Sequence, residues 1–183
     1  MRARGWLGAV LATGLFGGCT PEIGSEAYFC GEGGLCPPDL VCEPNQNLCV
    51  IPESVEPFAC TAGTPPAALV CGSNTSTTDC IGDPGAHVHY AIPGCAAKLQ
   101  AKLLFPIGLM PLAITVRDGA GEVVGTSVPC GDGSGGRTAV CVDVPAMSGV
   151  TYDIDISAAM PVSDCDGTCP YNRFALSIGL VTS

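Results

Sequence analysis

The chain contains only two histidines, His87 and His89, two residues apart. On an extended strand that spacing points both imidazoles to one face, where two nitrogens can bite a single metal ion. No third ligand is identifiable around them, so the pair reads first as a solvated polar strand face, with a metal pair as the sharper alternative. Asp164 and Asp166, joined by Asp132, offer carboxylate oxygens of the kind calcium takes, although no complete ligand loop surrounds them. No cofactor is expected, and calcium at these carboxylates is the alternative to that expectation. Cys165 and Cys169 are separated by three residues rather than two and lack a βαβ context, which favours a structural disulfide over a redox pair. The run Gly131–Gly136 holds Ser134 but no G-x-S-x-G elbow, and it reads as a flexible hairpin loop. No residue is assigned a catalytic role, and the chain is not expected to be an enzyme.

Strands must position these groups. In Leu112–Val128, Leu112, Ile114 and Val116 alternate with Ala113, Thr115 and Arg117. Asp118-Gly119-Ala120-Gly121 then supplies turn chemistry, and Glu122–Val128 runs back, a strand–turn–strand signal. Similar alternation places Val88, Tyr90 and Ile92 opposite the histidines, and sets Ala97, Leu99, Ala101, Leu103 and Phe105 on one face. It recurs in Val140, Val142 and Val144, in Val150, Tyr152, Ile154 and Ile156, and in Phe174, Leu176, Ile178 and Leu180. Seven or eight strands with one apolar face each predict an all-β fold of two sheets packed face to face. Composition agrees: 25 Gly and 16 Pro with only 13% charged residues suit short strands and tight turns.

The net charge is −10, and losing Arg2 and Arg4 with a leader would leave 5 basic residues against 17 acidic ones. Such a field repels phosphate backbones, so nucleic acid is not an expected partner. Thirteen cysteines without a CxxC…CxxC pattern point to disulfides formed in an oxidising compartment. Two arginines, an apolar run of eleven residues at Trp6–Phe16 and Gly17-Gly18 lead up to Cys19. That is the layout of a secretory signal peptide, and the run is too short to span a membrane. The segment LFGG before Cys19 resembles the lipobox of bacterial lipoproteins, with Phe16 where the family carries an aliphatic residue. The resemblance implies cleavage after residue 18, lipidation of Cys19 and export to the bacterial outer membrane or cell surface. Setting Cys19 aside leaves twelve cysteines, an even number available for pairing.

Residues 19–29 read as a tether. Residues 30–50 carry Cys30, Cys36, Cys42 and Cys49 with gaps of five, five and six residues. Twenty residues cannot bury a sufficient core, so covalent staples must hold them. Four cysteines allow three connectivities. The segment resembles the small EGF-like or knottin-like modules of bacterial surface lipoproteins, and the crossed pattern, Cys30–Cys42 with Cys36–Cys49, is the favoured one. The CxC element of EGF repeats is absent, so their calcium role does not carry over. Residues 51–66 are Pro-rich and read as a semi-extended linker. Local staples are expected at Cys60–Cys71, Cys80–Cys95, Cys130–Cys141 and Cys165–Cys169. Within residues 67–183, the order HYAIPG, AKLQAKLLFP, PLAITVRDGAGEVVGTS, SGVTYDIDIS, YNRFALSIGL resembles the bacterial pre-peptidase C-terminal domain. That resemblance implies a jelly-roll-like β-sandwich, of a kind that follows secreted peptidases and binds matrix or polysaccharide; no peptidase domain precedes it in this sequence.

Together these features predict a non-enzymatic surface protein held at a membrane by its N-terminal lipid. The stapled module would act as a spacer, and the sandwich would bind a cell-surface protein or polysaccharide or serve structurally. Two alternatives stand beside it: an accessory subunit of a secreted peptidase, and a metal-dependent hydrolase using His87 and His89.

Overall fold

Alternating apolar residues decide both which segments form strands and which face each strand turns inward. A computed structural model describes residues 28–159 and 171–181, except 62, 64, 65, 67, 68, 84, 96 and 134. Eleven strands lie among them. A short hairpin comes first, from β1 (Val41–Glu43) and β2 (Leu48–Val50). The other nine build two antiparallel sheets. They are β3 (Asn74–Ile81), β4 (Val88–Pro93), β5 (Ala97–Pro106), β6 (Leu112–Arg117), β7 (Val123–Thr126), β8 (Val128–Gly133), β9 (Arg137–Ala146), β10 (Thr151–Ala158) and β11 (Asn172–Val181). One sheet has the order β4-β10-β6-β7 and the other β3-β11-β5-β9-β8.

Inward faces of both sheets meet in one core. Leu99, Leu103, Ile114, Ile154, Ile156, Leu176 and Ile178 are essentially inaccessible to water. Each such side chain contributes about 1.5–3 kcal/mol of transfer free energy, set against the entropy of ordering the chain. The chain passes from one sheet to the other between β7 and β8, with Ser127 as the only residue between them. Its amide donates to the Ile114 carbonyl at 2.9 Å and its hydroxyl accepts from the Ile114 amide at 2.9 Å, so pairing to β6 continues to the crossing point. At the β6–β7 turn, Asp118 Oδ1 accepts from the amides of Ala120 and Glu122, and Gly121 has φ +85°. An Asx-type turn closed by a left-handed glycine is what this sequence dictates.

The sandwich thus has nine strands where seven or eight were expected. One addition is β3, NTSTTDCI, which is polar on both faces and gives no alternation signal. The other is β8, which takes up part of the glycine run expected to be a loop: Cys130–Gly133 extends beside β9, leaving only a tight turn near Gly135 and Gly136.

Five disulfides are formed among the described residues. Cys30 joins Cys42, Cys36 joins Cys49, and Cys130 joins Cys141. The expected pairs Cys60–Cys71 and Cys80–Cys95 are not found; instead Cys60 bonds Cys80 and Cys71 bonds Cys95. The reason is β3 itself. Eight residues, most of them extended at about 3.3 Å each, separate Cys80, one residue from the end of β3, from Cys71 just before its start. Near Cys71 the amide of Gly72 donates to Leu180 at the end of β11, beside the start of β5, and Cys95 lies there. Cys60 runs along the opposite end, where Arg173 pairs with Cys80. Cys19 and the expected Cys165–Cys169 bridge lie outside the described residues.

The segments before the sandwich are fastened to it. Phe29 bridges to Leu48, and the Asn47 side-chain amide donates to the Gly136 carbonyl at 3.1 Å. Asn45 is the hub. Its amide group donates to Glu43 Oε1 at 2.8 Å and to the Pro57 carbonyl at 3.0 Å, while its oxygen accepts from the Ala59 amide and from Arg173. Phe58 stacks on Tyr171 with ring centroids 4.3 Å apart, and the Arg173 guanidinium lies over Phe58. The Pro-rich stretch is therefore clamped against β3 and β11.

Candidate metal centre on the outer sheet face

The outward residues of β4, β10 and β6 form the exposed face of the four-stranded sheet. Because Tyr90 and Ile92 turn into the core, His89 must turn out, and His87 precedes the strand with the same parity. On β10 the buried Tyr152, Ile154 and Ile156 force Asp153 and Asp155 outward in the same way. The register places Asp155 directly opposite His89 on one side and Thr115 on the other, with Asp153 opposite Ala91 and Arg117. Two polar pairs of i, i+2 spacing are thereby laid face to face.

Contacts within the cluster are short. His87 Nδ1 lies 2.8 Å from Asp155 Oδ1, and His89 Nδ1 lies 2.9 Å from Asp153 Oδ2. His89 Nε2 lies 3.9 Å from Asp155 Oδ1. The two imidazole rings are near parallel with centroids 6.0 Å apart. Both histidines are exposed, whereas Asp155 is only 5% exposed. One ligand atom from each of His87, His89 and Asp155 falls within 4.8 Å of the others.

The sequence pointed to His87 and His89 and found no third ligand near them. Asp155 is that third group, 66 residues beyond His89 in sequence and adjacent to it in space. A signal for it existed: TYDIDIS is a strand with two outward carboxylates, matching HVH in spacing. What was missing was the knowledge that β10 and β4 are neighbours. Asp164 and Asp166 lie outside the described residues, as does the side chain of Asp132, so the calcium expectation rests where the sequence left it.

A second feature occupies the other sheet. An open groove of about 1180 Å³ runs along β3 and β11, lined by Thr61, Thr75, Thr78, Arg137 and Arg173 among others. Asp79, also in its lining, accepts from the Gly63 and Cys80 amides and from the Tyr90 hydroxyl at 3.0 Å. Burial, with Asp79 beside it, pushes the Tyr90 phenol well above its ordinary value.

No protein-family model matches the chain, and no curated protein is significantly similar to it.

Proposed function

We propose that the chain is an exported, lipid-anchored surface protein without catalytic activity, whose β-sandwich binds a cell-surface or matrix partner, protein or polysaccharide. The observation that carries this reading is the disulfide framework: five bridges across the described residues, a density that forms and persists in oxidising compartments. The leader and the lipobox-like LFGG before Cys19 supply the route and the anchor. The groove on the five-stranded sheet supports a binding role. It is open along its length and offers threonine hydroxyls, a carboxylate and two guanidinium groups, donors and acceptors suited to a polyhydroxylated chain. The likeness to pre-peptidase C-terminal domains points the same way.

Two measurements test the reading. Mass spectrometry of the native N-terminus should find Cys19 carrying acyl groups; an unmodified terminus downstream of Cys19 would overturn the anchor. A glycan and matrix-protein binding screen of the full chain should return a ligand whose binding is weakened by Arg173→Ala or Arg137→Ala. A ligand insensitive to both would remove the groove from the proposal.

The cluster of His87, His89 and Asp155 favours a second reading, a metal-dependent hydrolase, because three protein ligands leave an open position for water. Metal-dependent turnover of ester, amide or phosphoester substrates by the wild-type chain, abolished in His89→Ala, would establish it.

A further inference from the structure

We infer that the outer face of the four-stranded sheet is a binding site for a divalent transition metal of the zinc class, with His87, His89 and Asp155 as ligands and Asp153 as a positioning residue. The inference requires neither the lipid anchor nor catalysis.

Spacing is the first argument. Zinc holds nitrogen and oxygen ligands at about 2.0–2.2 Å in a tetrahedron, which sets neighbouring ligand atoms about 3.3–3.5 Å apart. The separations from Asp155 Oδ1, 2.8 Å to His87 Nδ1 and 3.9 Å to His89 Nε2, straddle that value. The ligand atoms of the two histidines lie within 4.8 Å of each other, and both rings are exposed, so they are free to close on an ion held by Asp155. Asp155 itself sits on the backbone of a central strand, paired on both sides, and provides a fixed point for the other two.

Orientation is the second. Asp153 Oδ2 lies 2.9 Å from His89 Nδ1 and can only accept there, which turns Nε2 toward Asp155 at 3.9 Å; at His87, Nδ1 faces Asp155 at 2.8 Å, and a metal ion would take the place of the proton shared between them. A carboxylate holding the far nitrogen of a ligand histidine is the outer-shell arrangement that fixes tautomer and ring direction in metal sites.

Charge is the third. Asp155 is almost fully buried, and the ion pairs formed by it among the described residues are to the two imidazoles alone. Arg117, directly across the sheet from Asp153, brings a full positive charge to that end of the face, whereas Asp155 lies between Thr115 and His89 and has only the imidazoles beside it. A buried carboxylate lacking a cation is costly, and a dication between Asp155 and the two rings offsets that cost. Two imidazoles in the set select zinc, copper or nickel over the hard, oxygen-seeking calcium and magnesium. Three protein ligands leave the fourth position open on the solvent side.

Isothermal titration of the full, oxidised chain with zinc chloride tests the site. One zinc should bind per chain, undisturbed by excess calcium. His87→Ala, His89→Ala and Asp155→Asn should each cut affinity by at least about 100-fold, and Asp153→Asn by about 10–100-fold. Cobalt substitution gives a readout that a structural role for Asp153 would not move. The wild-type chain should show intense tetrahedral d–d bands, and Asp153→Asn should shift and weaken them while its far-ultraviolet circular dichroism stays that of the parent. His87 is exposed and precedes its strand, so His87→Ala tests the site even where Asp155→Asn fails to fold. Absence of zinc binding, or binding that survives His87→Ala and His89→Ala, would overturn the inference. Zinc binding without turnover would leave it standing and remove the hydrolase reading.

Discussion

Replacing Cys60 and Cys80 together by alanine should cost about 3 kcal/mol of stability. The bridge closes a loop with a sequence separation of 20. The loop-entropy relation for a closure of that length gives about 11 cal/mol/K, or about 3.3 kcal/mol at room temperature. For a chain of this size that corresponds to a fall of about 6–12 °C in the unfolding midpoint. The overlapping Cys71–Cys95 bridge remains and keeps the start of β3 next to β5, so within the folded state any local loosening should be greatest in the Pro-rich segment. Phe58 would then be held by its ring contacts to Tyr171 and Arg173 and by the Asn45 hydrogen bonds to Pro57 and Ala59, without a covalent tie, and cleavage by chymotrypsin at Phe58 should accelerate. Differential scanning calorimetry reads the first effect, timed proteolysis with mass spectrometry the second, and peptide mapping under non-reducing conditions checks the connectivity. A peptide linking Cys60 to Cys71 would refute the reasoning outright. So would a double variant whose midpoint stays within about 1 °C of the parent, since a closed loop of this length must cost more than that to open.

Asn172 is fully buried and donates to the Pro106 and Met110 carbonyls at 3.1 and 2.7 Å, so Asn172→Ala leaves two orphaned acceptors and should lower stability by about 2–3 kcal/mol in urea unfolding. Gly94 donates to the Val150 carbonyl, and a Cβ there would meet that oxygen at 2.6 Å with the Met147 carbonyl closer still; Gly94→Ala should destabilise by about 2 kcal/mol or more, read by the same unfolding curves. The Tyr90 phenol is raised above its unfolded value, so its contribution is complete below about pH 10 and is lost as the pH climbs beyond that. Thermal midpoints should therefore fall above that pH, and fall less steeply in Tyr90→Phe, which has no proton to lose.

Much of the sandwich is legible in the sequence because each strand shields one face. In β5, β6, β10 and β11 the apolar positions at every second residue are the buried ones. Where that asymmetry fails, so does the reading. The outermost strand β3 packs few apolar side chains and is held by backbone pairing to β11 and by the clamp on its other flank, neither of which alternation encodes. Cysteine pairing failed at the same place for the same reason, since partners depend on which ends of β3 meet which neighbours. The site divides likewise. That His87 and His89 share a face follows from their spacing, but their partnership with Asp153 and Asp155 follows from strand order, a property of the whole chain. Asn45 belongs to this second class: four polar contacts from a short turn, invisible until the turn is set against Arg173 and Ala59.

The clamp on β3 has a further consequence, for self-association. A strand at the margin of a sheet presents unpaired amides and carbonyls on which a second chain can add its own strand, the first step toward aggregates. Here Gly63 rests so close to the Thr78 carbonyl that no side chain would fit, and its amide is bonded to Asp79 at 2.9 Å. Cys60, covalently tied to Cys80, holds that cover in place. At high local concentration a second chain is thereby hindered from adding a strand at Thr78 and Asp79, and reduction of a single bridge is the event that would loosen this cover.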